Sequence, residues 1–96
     1  MRQGFRRGGH RTDGPQKEII AALRKVTACE NLSQASVAGM PDLVVRHASG
    51  FPLWLEVKAP GGKLSPAQKE FEARWYAHYE VVTTVEEALR VAGFLP

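Results

Sequence analysis

Apolar residues at helical spacing predict two of the helices in this chain. Pro15 is a favourable first-turn residue, and the helix that begins there is expected to end within residues 25–27. Ser65 followed by Pro66 combines a helix cap with a first-turn proline, so a second helix is expected to begin there. The apolar positions are Ile19, Ile20, Leu23 and Val26 in the first helix, and Ala67, Phe71, Trp75 and Tyr76 in the second, with Tyr79 near its end.

Runs of β-branched and alternating residues predict the strands. Residues 42–46 are rich in β-branched side chains, and residues 53–58 follow the two-residue alternation of a strand. The turn signal at Ser49 and the glycine after it joins these two strands into a β-hairpin. Residues 80–84 predict a further short strand, and residues 28–32 are a candidate strand before the hairpin.

The last predicted helix follows the strand at residues 80–84. Thr84 is in the position of its cap, with Glu87 three residues later as in a capping box, and Gly93 is expected to end it. Its apolar face consists of Val85, Ala88, Leu89 and Ala92. The complete order, α-β-β-β-α-β-α, predicts an α/β fold in which helices flank a mixed central β-sheet.

Charge is distributed unevenly along the chain of 96 residues, which has a net charge of +3. Four arginines and no acidic residue precede Thr12, which leaves nine basic residues against ten acidic ones in the remainder. We therefore expect a flexible basic arm over residues 1–12 and a single, nearly neutral domain over residues 13–96. The arm is either a solvated terminus or a segment that contacts nucleic-acid phosphates.

The composition excludes several classes of protein. Cys29 is the single cysteine, so there is no internal disulfide and no cysteine-based zinc site, which fits a reducing cytoplasm. No apolar run approaches the roughly 18 residues of a membrane span, and no apolar segment follows the charged N-terminus as it does in a secretory signal. We expect a cytoplasmic protein with no membrane partner.

Two carboxylates and an amine are predicted to meet at one end of the hairpin. Because side chains alternate between the faces of a strand, Glu56 and Lys58 share one face. A loop centred on Ser49 would place Asp42 across from Glu56, with Cβ atoms about 4.5–5.5 Å apart. Facing carboxylates repel each other unless positive charge lies between them, and Mg²⁺ is commonly held by one or two carboxylates. The carbonyl of Val57 is a further candidate ligand.

Two interpretations of this cluster are open. In the first, Asp42 and Glu56 hold a divalent cation while Lys58 acts on a water or holds a phosphate, which is metal-assisted phosphodiester hydrolysis. In the second, Glu56 and Lys58 form an ordinary ion pair on a solvated sheet face. The context favours the first, because residues 39–42 contain a proline that stiffens the approach to Asp42, and residues 60–62 form a Pro-Gly-Gly loop with room for a ligand.

The residues of this cluster resemble a known family. Gly39-x-Pro41-Asp42 followed by Glu56-Val57-Lys58 resembles the core of the PD-(D/E)XK nucleases. The run at residues 59–68 and the segment at residues 81–89 resemble, more specifically, the VRR-NUC (virus-type replication-repair nuclease) family in its stand-alone phage or prophage form. The resemblance implies a restriction-endonuclease-like core and a Mg²⁺-dependent deoxyribonuclease, with Mn²⁺ as a substitute.

The resemblance also implies roles for individual residues. Asp42 and Glu56 would be metal ligands together with the Val57 carbonyl, and both carboxylates would be catalytic. Lys58 would be the catalytic lysine. Gln68 would face the site from the helix that follows the core, as a further catalytic residue.

Family members carry an acidic residue on the first helix, and two positions compete for that role here. Asp13 with Gln16 matches the Arg-x-Asp-x-x-Gln start of phage relatives, whereas Glu18 is the alternative metal ligand. Tyr79 departs from the family, because many members have glycine before the last strand, and we expect this to affect a turn and not the site. The candidate substrate-binding residues are Gln16, Lys63, Arg6, Arg7 and Arg11.

The resemblance implies DNA as the partner, cleaved by an endonuclease that acts as a homodimer, with branched DNA, flaps or Holliday junctions as candidate substrates. Two other classes are open. One is a catalytically inactive nucleic-acid-binding accessory protein of a phage or prophage, which would not need Mg²⁺. The other is a small module that binds only a protein partner, for which no salt-dependent DNA affinity is expected.

Overall fold

The computed structural model describes residues 15–75 and 78–96. The predicted basic arm at residues 1–12 and the helical position Tyr76 lie outside the described residues. The elements are α1 (Pro15–Arg24), β1 (Cys29–Asn31), β2 (Leu43–Arg46), β3 (Pro52–Val57), α2 (Pro66–Trp75), β4 (Tyr79–Val82) and α3 (Val85–Val91). This order is the predicted one, and the α/β fold with a mixed sheet, compatible with a restriction-endonuclease-like core, is confirmed.

The four strands form one sheet in the order β1-β2-β3-β4. The first three strands pair antiparallel, whereas β4 lies parallel to β3 because α2 returns the chain to the same end of the sheet. Within the hairpin, Leu43 pairs with Leu55 and Val45 pairs with Leu53. This register confirms the predicted hairpin and determines which side chains share a face.

One face of the sheet, which we call the core face, packs against α1 and α3. Ile19 and Leu23 of α1 are completely buried, and so are Ala88 of α3 and Ala92 directly after it. Ile20 of α1 also belongs to this cluster, and the strands contribute its remaining buried residues, which are Cys29, Leu43, Val45, Leu53, Leu55 and Val82. Burial of apolar surface on this face is the main source of stability for so short a chain.

The predicted cap of α3 is confirmed. The Thr84 hydroxyl accepts a hydrogen bond from the backbone N–H of Glu87 at 3.1 Å. The Glu87 carboxylate accepts one from the backbone N–H of Thr83 at 2.7 Å, so the return bond reaches one residue before the cap. The first bond satisfies a donor of the first helical turn, and the second satisfies the donor of the residue before the cap.

The opposite face, which we call the site face, packs against α2. Among the described residues of α2, Phe71 is the buried one. Its ring lies edge-on to Trp54 of β3, with 5.6 Å between the ring centroids, and to Tyr79 of β4, at 6.1 Å. These contacts between aromatic rings hold α2 on the sheet.

Three large apolar side chains differ from the sequence prediction, and Ala67 on the predicted apolar face of α2 is exposed as well. Val26 is 50% exposed, because α1 ends at Arg24 and the turn that follows directs this side chain away from the core. Trp75 is 60% exposed, because α2 meets the sheet mainly through Phe71. Tyr79 does not end a helix. It begins β4, where it pairs with Trp54, and β4 ends at Val82 instead of residue 84.

Within the described parts of the chain, no helix is long and apolar enough to cross a membrane.

Candidate active site

The hairpin places Asp42 and Glu56 opposite each other, as predicted. Leu43 pairs with Leu55, so continuing the antiparallel register by one residue brings Asp42 across from Glu56. The backbone N–H of Asp42 donates to Glu56 Oε1 at 3.2 Å, and the N–H of Val57 donates to Asp42 Oδ2 at 2.9 Å. The Glu56 carboxylate therefore binds the backbone of Asp42, and the Asp42 carboxylate binds the backbone of Val57, next to Glu56. These two hydrogen bonds fix both side chains at the ends of their strands.

Glu56 is an unusual carboxylate because it is only 6% exposed. Burial, followed by the negative charge of Asp42, raises the pKa of Glu56 above its ordinary value. Hydrogen bonds from Gln68 and Lys58 and the charge of Lys58 act in the opposite direction. A buried carboxylate facing a second one is the electrostatic arrangement that a bound cation relieves.

Lys58 lies directly after β3, with its amine 3.4 Å from Glu56 Oε2. Its side chain keeps 26% of its surface exposed, so the amine can also reach a molecule in solvent. The chain then turns sharply at residues 59–62, where the N–H of Gly62 donates to the Ala59 carbonyl at 2.9 Å. A Cβ at Gly62 would lie 2.7 Å from the Cβ of Lys58, so this glycine lets the turn fold against the lysine.

Gln68 is brought to the site by the first turn of α2. The Ser65 hydroxyl accepts from the backbone N–H of Gln68 at 3.2 Å, and the Gln68 side-chain oxygen accepts from the backbone N–H of Ser65 at 2.8 Å. This is a complete capping box. Hydrogen bonding by the Gln68 side chain is one of the influences that lower the pKa of Glu56, so the start of α2 lies beside the predicted cluster.

Two residues that sequence reasoning did not assign to the site support the segment that leads to Asp42. Gly39 has φ +80°, and a Cβ there would overlap the carbonyl group of Ala67 in the first turn of α2. The Tyr79 hydroxyl donates to the Gly39 carbonyl at 3.3 Å. The expectation that Tyr79 affects only a turn is therefore wrong. Burial, and then the negative charges of Glu56 and Asp42, raise the pKa of Tyr79.

The remaining predicted site residues lie on α1, in the loop between β3 and α2, or outside the described residues. Glu18 lies on the exposed side of α1. Gln16 is 6% exposed and donates to the Ser33 hydroxyl at 2.9 Å, so it links α1 to the loop after β1. Lys63 is exposed on the loop between β3 and α2. Those that lie outside the described residues are Asp13, Arg6, Arg7 and Arg11.

Two carboxylates are a small ligand set for a metal. Residues 15–75 and 78–96 contain no group of three or more His, Cys, Asp or Glu side chains that could hold an ion. Mg²⁺ nevertheless commonly uses one or two carboxylates and completes its shell with water and substrate oxygens. Asp42 and Glu56 therefore fit Mg²⁺ and similar hard cations, and they do not fit an ion such as structural zinc that needs four protein ligands.

Comparison with known proteins agrees with the geometry of the hairpin. A model of the VRR-NUC domain matches residues 9–84, which include the hairpin, Lys58, Gln68 and all of β4. No curated protein matches the chain. Because the match covers most of the sequence, the chain belongs to the VRR-NUC domain family, which is a family of nucleases.

Proposed function

We propose that this protein is a Mg²⁺-dependent endonuclease that hydrolyses DNA phosphodiester bonds by the PD-(D/E)XK mechanism. The observation that supports this most strongly is the pair of facing carboxylates, Asp42 and Glu56, with the Lys58 amine 3.4 Å from Glu56 Oε2. Nucleases of this family generally use divalent metal ions. The cluster also lies at the end of the sheet beside an exposed loop, where an extended substrate has access.

Asp42 and Glu56 would hold the ion, with the Val57 carbonyl as a third oxygen ligand. A bound Mg²⁺ would supply a Lewis acid that activates water and neutralises charge developing on the phosphate, and Mn²⁺ is expected to substitute for it. The hydrogen bonds from Asp42 and Val57 N–H groups to these carboxylates keep the ligand oxygens in place before the ion arrives. Asp13 or Glu18 would supply the acidic residue from the first helix.

Lys58 is the residue of the cluster best placed to act on the substrate. Its amine pairs with Glu56 in the metal-free protein and remains partly exposed. When the charge of Glu56 is shared with a cation, the amine is free to orient the attacking water and to stabilise negative charge on the phosphate. We assign Gln68 a supporting role, since its influence lowers the pKa of Glu56 and so favours the ionised carboxylate.

DNA would be held by groups outside the carboxylate cluster, because two carboxylates repel phosphate. We assign this role to Lys63 and to the basic arm with Arg6, Arg7 and Arg11, which together would contact the phosphate backbone. Gln16 is buried and donates to Ser33, so we assign it to the packing of α1 and not to DNA. Branched DNA, flaps and four-way junctions are the substrates to examine first, and a homodimer is the proposed active form.

The test is a cleavage assay over duplex, nicked, flap and four-way-junction DNA with Mg²⁺, Mn²⁺ or EDTA. We expect cleavage that requires the ion and that falls by at least about a hundredfold in Asp42→Ala and Lys58→Ala. Lys25→Ala is a matched control, since this exposed lysine follows α1 near the opposite end of the hairpin and its loss changes the charge equally.

Full activity in Asp42→Ala or Lys58→Ala would contradict the proposal. Absence of cleavage together with absence of Mg²⁺ and Mn²⁺ binding would instead favour an inactive nucleic-acid-binding accessory protein. Loss of activity in Lys25→Ala equal to that in Lys58→Ala would show that the assay reports net charge and not the site.

A further inference from the structure

Both tryptophans of the chain lie on the site face, where they contact the buried ring of Phe71. Trp54 of β3 is half-buried, and its ring centroid lies 5.6 Å from that of Phe71. Trp75 is in the last turn of α2, with its ring centroid 6.1 Å from that of Phe71, and it is 60% exposed. A single exposed apolar side chain is common, so the surroundings of Trp75 decide what it indicates.

The site face continues beside Trp54 as an apolar pocket. Val44 pairs with Trp54 across the hairpin, so their side chains are neighbours on this face. Val44 also lines a pocket of about 240 Å³ together with Pro52 and Ala28, and no residue of the described helices lines it. Trp54 therefore connects the exposed ring of Trp75 to the pocket. We call the surface formed by Trp75, Trp54, Val44 and Pro52 the open patch.

Basic side chains lie beside the open patch. Arg46 lines the pocket, is exposed, and forms no ion pair with another described residue. The guanidinium of Arg74 lies 5.8 Å from the ring centroid of Phe71, one residue before Trp75. Glu30 also lines the pocket, and its carboxylate repels phosphate, so a phosphate contact is expected at Arg46 and an uncharged base in the pocket. Aromatic rings beside basic groups are typical of surfaces that bind single-stranded nucleic acids.

The open patch begins directly next to the candidate active site. Asp42, Val44 and Arg46 follow one another on the same face of the sheet, because side chains alternate between the faces of a strand. The four residues from Asp42 to Arg46 correspond to about 13 Å of strand. This length equals about four nucleotides at the duplex spacing of about 3.4 Å. One strand of DNA at Asp42 would therefore extend over the open patch.

We propose that the open patch binds single-stranded DNA, with unpaired bases against Trp75, Trp54 and the pocket and a backbone phosphate at Arg46. This proposal rests on the proposed function and deepens it, because it makes DNA with an unpaired arm the preferred substrate. Only unpaired bases have faces that are free to stack on a protein ring. The unpaired Arg46 and the continuity with Asp42 favour an anionic strand, and not a second copy of this chain, as the occupant.

The experiment measures binding of a short, labelled single strand by fluorescence anisotropy, in EDTA so that no cleavage interferes. Because the chain has two tryptophans and both lie in the open patch, their intrinsic fluorescence reports binding there, and we expect it to be quenched. Trp75→Leu should weaken the affinity by about tenfold without changing its dependence on salt, because stacking is uncharged. Arg46→Ala should reduce the slope of log affinity against log salt by about 0.7, which corresponds to one phosphate contact.

Two matched controls lie on the other side of the molecule. Arg90 is an exposed arginine of α3, and Leu95 is an exposed apolar residue after that helix, which packs on the core face. Arg90→Ala and Leu95→Ala should leave the affinity and its salt dependence unchanged. Trp75→Tyr, which keeps a ring, should recover most of the affinity lost in Trp75→Leu.

Binding in EDTA needs neither metal nor cleavage, so it tests the open patch even if the proposed nuclease activity fails. Equal affinity and equal salt dependence in Trp75→Leu, Arg46→Ala and the two controls would overturn the proposal. Tryptophan fluorescence that changes with protein concentration but not with DNA would assign the patch to a second copy and would also overturn it. If flap DNA is cut at the wild-type rate by Trp75→Leu but not by Asp42→Ala, the proposed function stands and the open patch has no part in it.

Discussion

The two faces of the sheet are built from the same strands but differ in almost every physical respect. On the core face, Leu53 and Leu55 of β3 are buried against helices α1 and α3. On the site face, Trp54 packs edge-on against Phe71, and Glu56 is buried beside Lys58 and Gln68. Adjacent residues of one strand therefore have different roles. Those on the core face stabilise the fold by apolar burial, and those on the site face position charged side chains.

The difference shows how a chain of 96 residues combines stability with chemistry. Apolar burial on the core face contributes favourable free energy without specific geometry. Glu56 is buried next to Asp42, which is unfavourable for folding while both are charged. The site face is therefore expected to lower the free energy of unfolding, and the core face must compensate for it.

The largest expected effect on stability is the difference between alanine substitutions at two neighbouring valines of β2. Val45 is 1% exposed on the core face, whereas Val44 is half-buried on the site face. Val45→Ala should lower the free energy of unfolding by about 2–3 kcal/mol, and Val44→Ala by less than about 1 kcal/mol. Urea denaturation followed by circular dichroism measures both. Equal losses would show that the two faces contribute alike.

A second pair of substitutions tests the contact between the Asp42 segment and α2. Gly39 and Gly61 both have positive φ, +80° and +82°, but only Gly39 has protein atoms where a Cβ would be. Both changes to alanine carry the backbone strain of about 1–2 kcal/mol. Gly39→Ala should cost more, because the Ala67 carbonyl must move, and it should also reduce cleavage. If the two variants are equally stable and equally active, the close approach has no functional role.

The smallest expected effect concerns how the free energy of unfolding changes with pH when no metal is added. Because the pKa of Glu56 is raised on folding, the folded state binds this proton more tightly than the unfolded state does. The stabilising contribution of Glu56 is therefore fully present below the ordinary glutamate pKa of about 4. It is lost as the pH rises through the raised pKa, so the free energy of unfolding falls over this range. Glu56→Gln removes this slope and should be more stable at neutral pH by about 0.5–2 kcal/mol. Thermal melts from pH 4 to 8 measure the effect, and an unchanged profile would contradict it.

Much of the fold follows from local signals in the sequence. The turn after Arg46 fixes the hairpin register, and the register places Asp42 across from Glu56. The helix caps at Ser65 and Thr84 are equally local, since each is read from residues within one turn.

The rest depends on contacts between distant parts of the chain. Nothing near Gly39 in the sequence indicates that Ala67 will occupy the space beside it. The spacing of Tyr79 from Phe71 fits a helix, but its pairing with Trp54 makes it the first residue of a strand. Its hydroxyl reaches the Gly39 carbonyl across 40 residues, a contact that no local pattern predicts. Trp75 is exposed for a related reason, since α2 covers only part of the site face.

Glu56 is buried at a cost to stability, and we propose that it occupies this position because it binds a metal ion. Calorimetric titration of wild type and Glu56→Gln with Mn²⁺, beside a thermal melt of each, tests this directly, and Val44→Ala serves as the site-face control. We expect Glu56→Gln to be at least as stable as the wild type but to bind no Mn²⁺, and we expect Val44→Ala to bind it normally. Equal Mn²⁺ binding by Glu56→Gln and the wild type would contradict it.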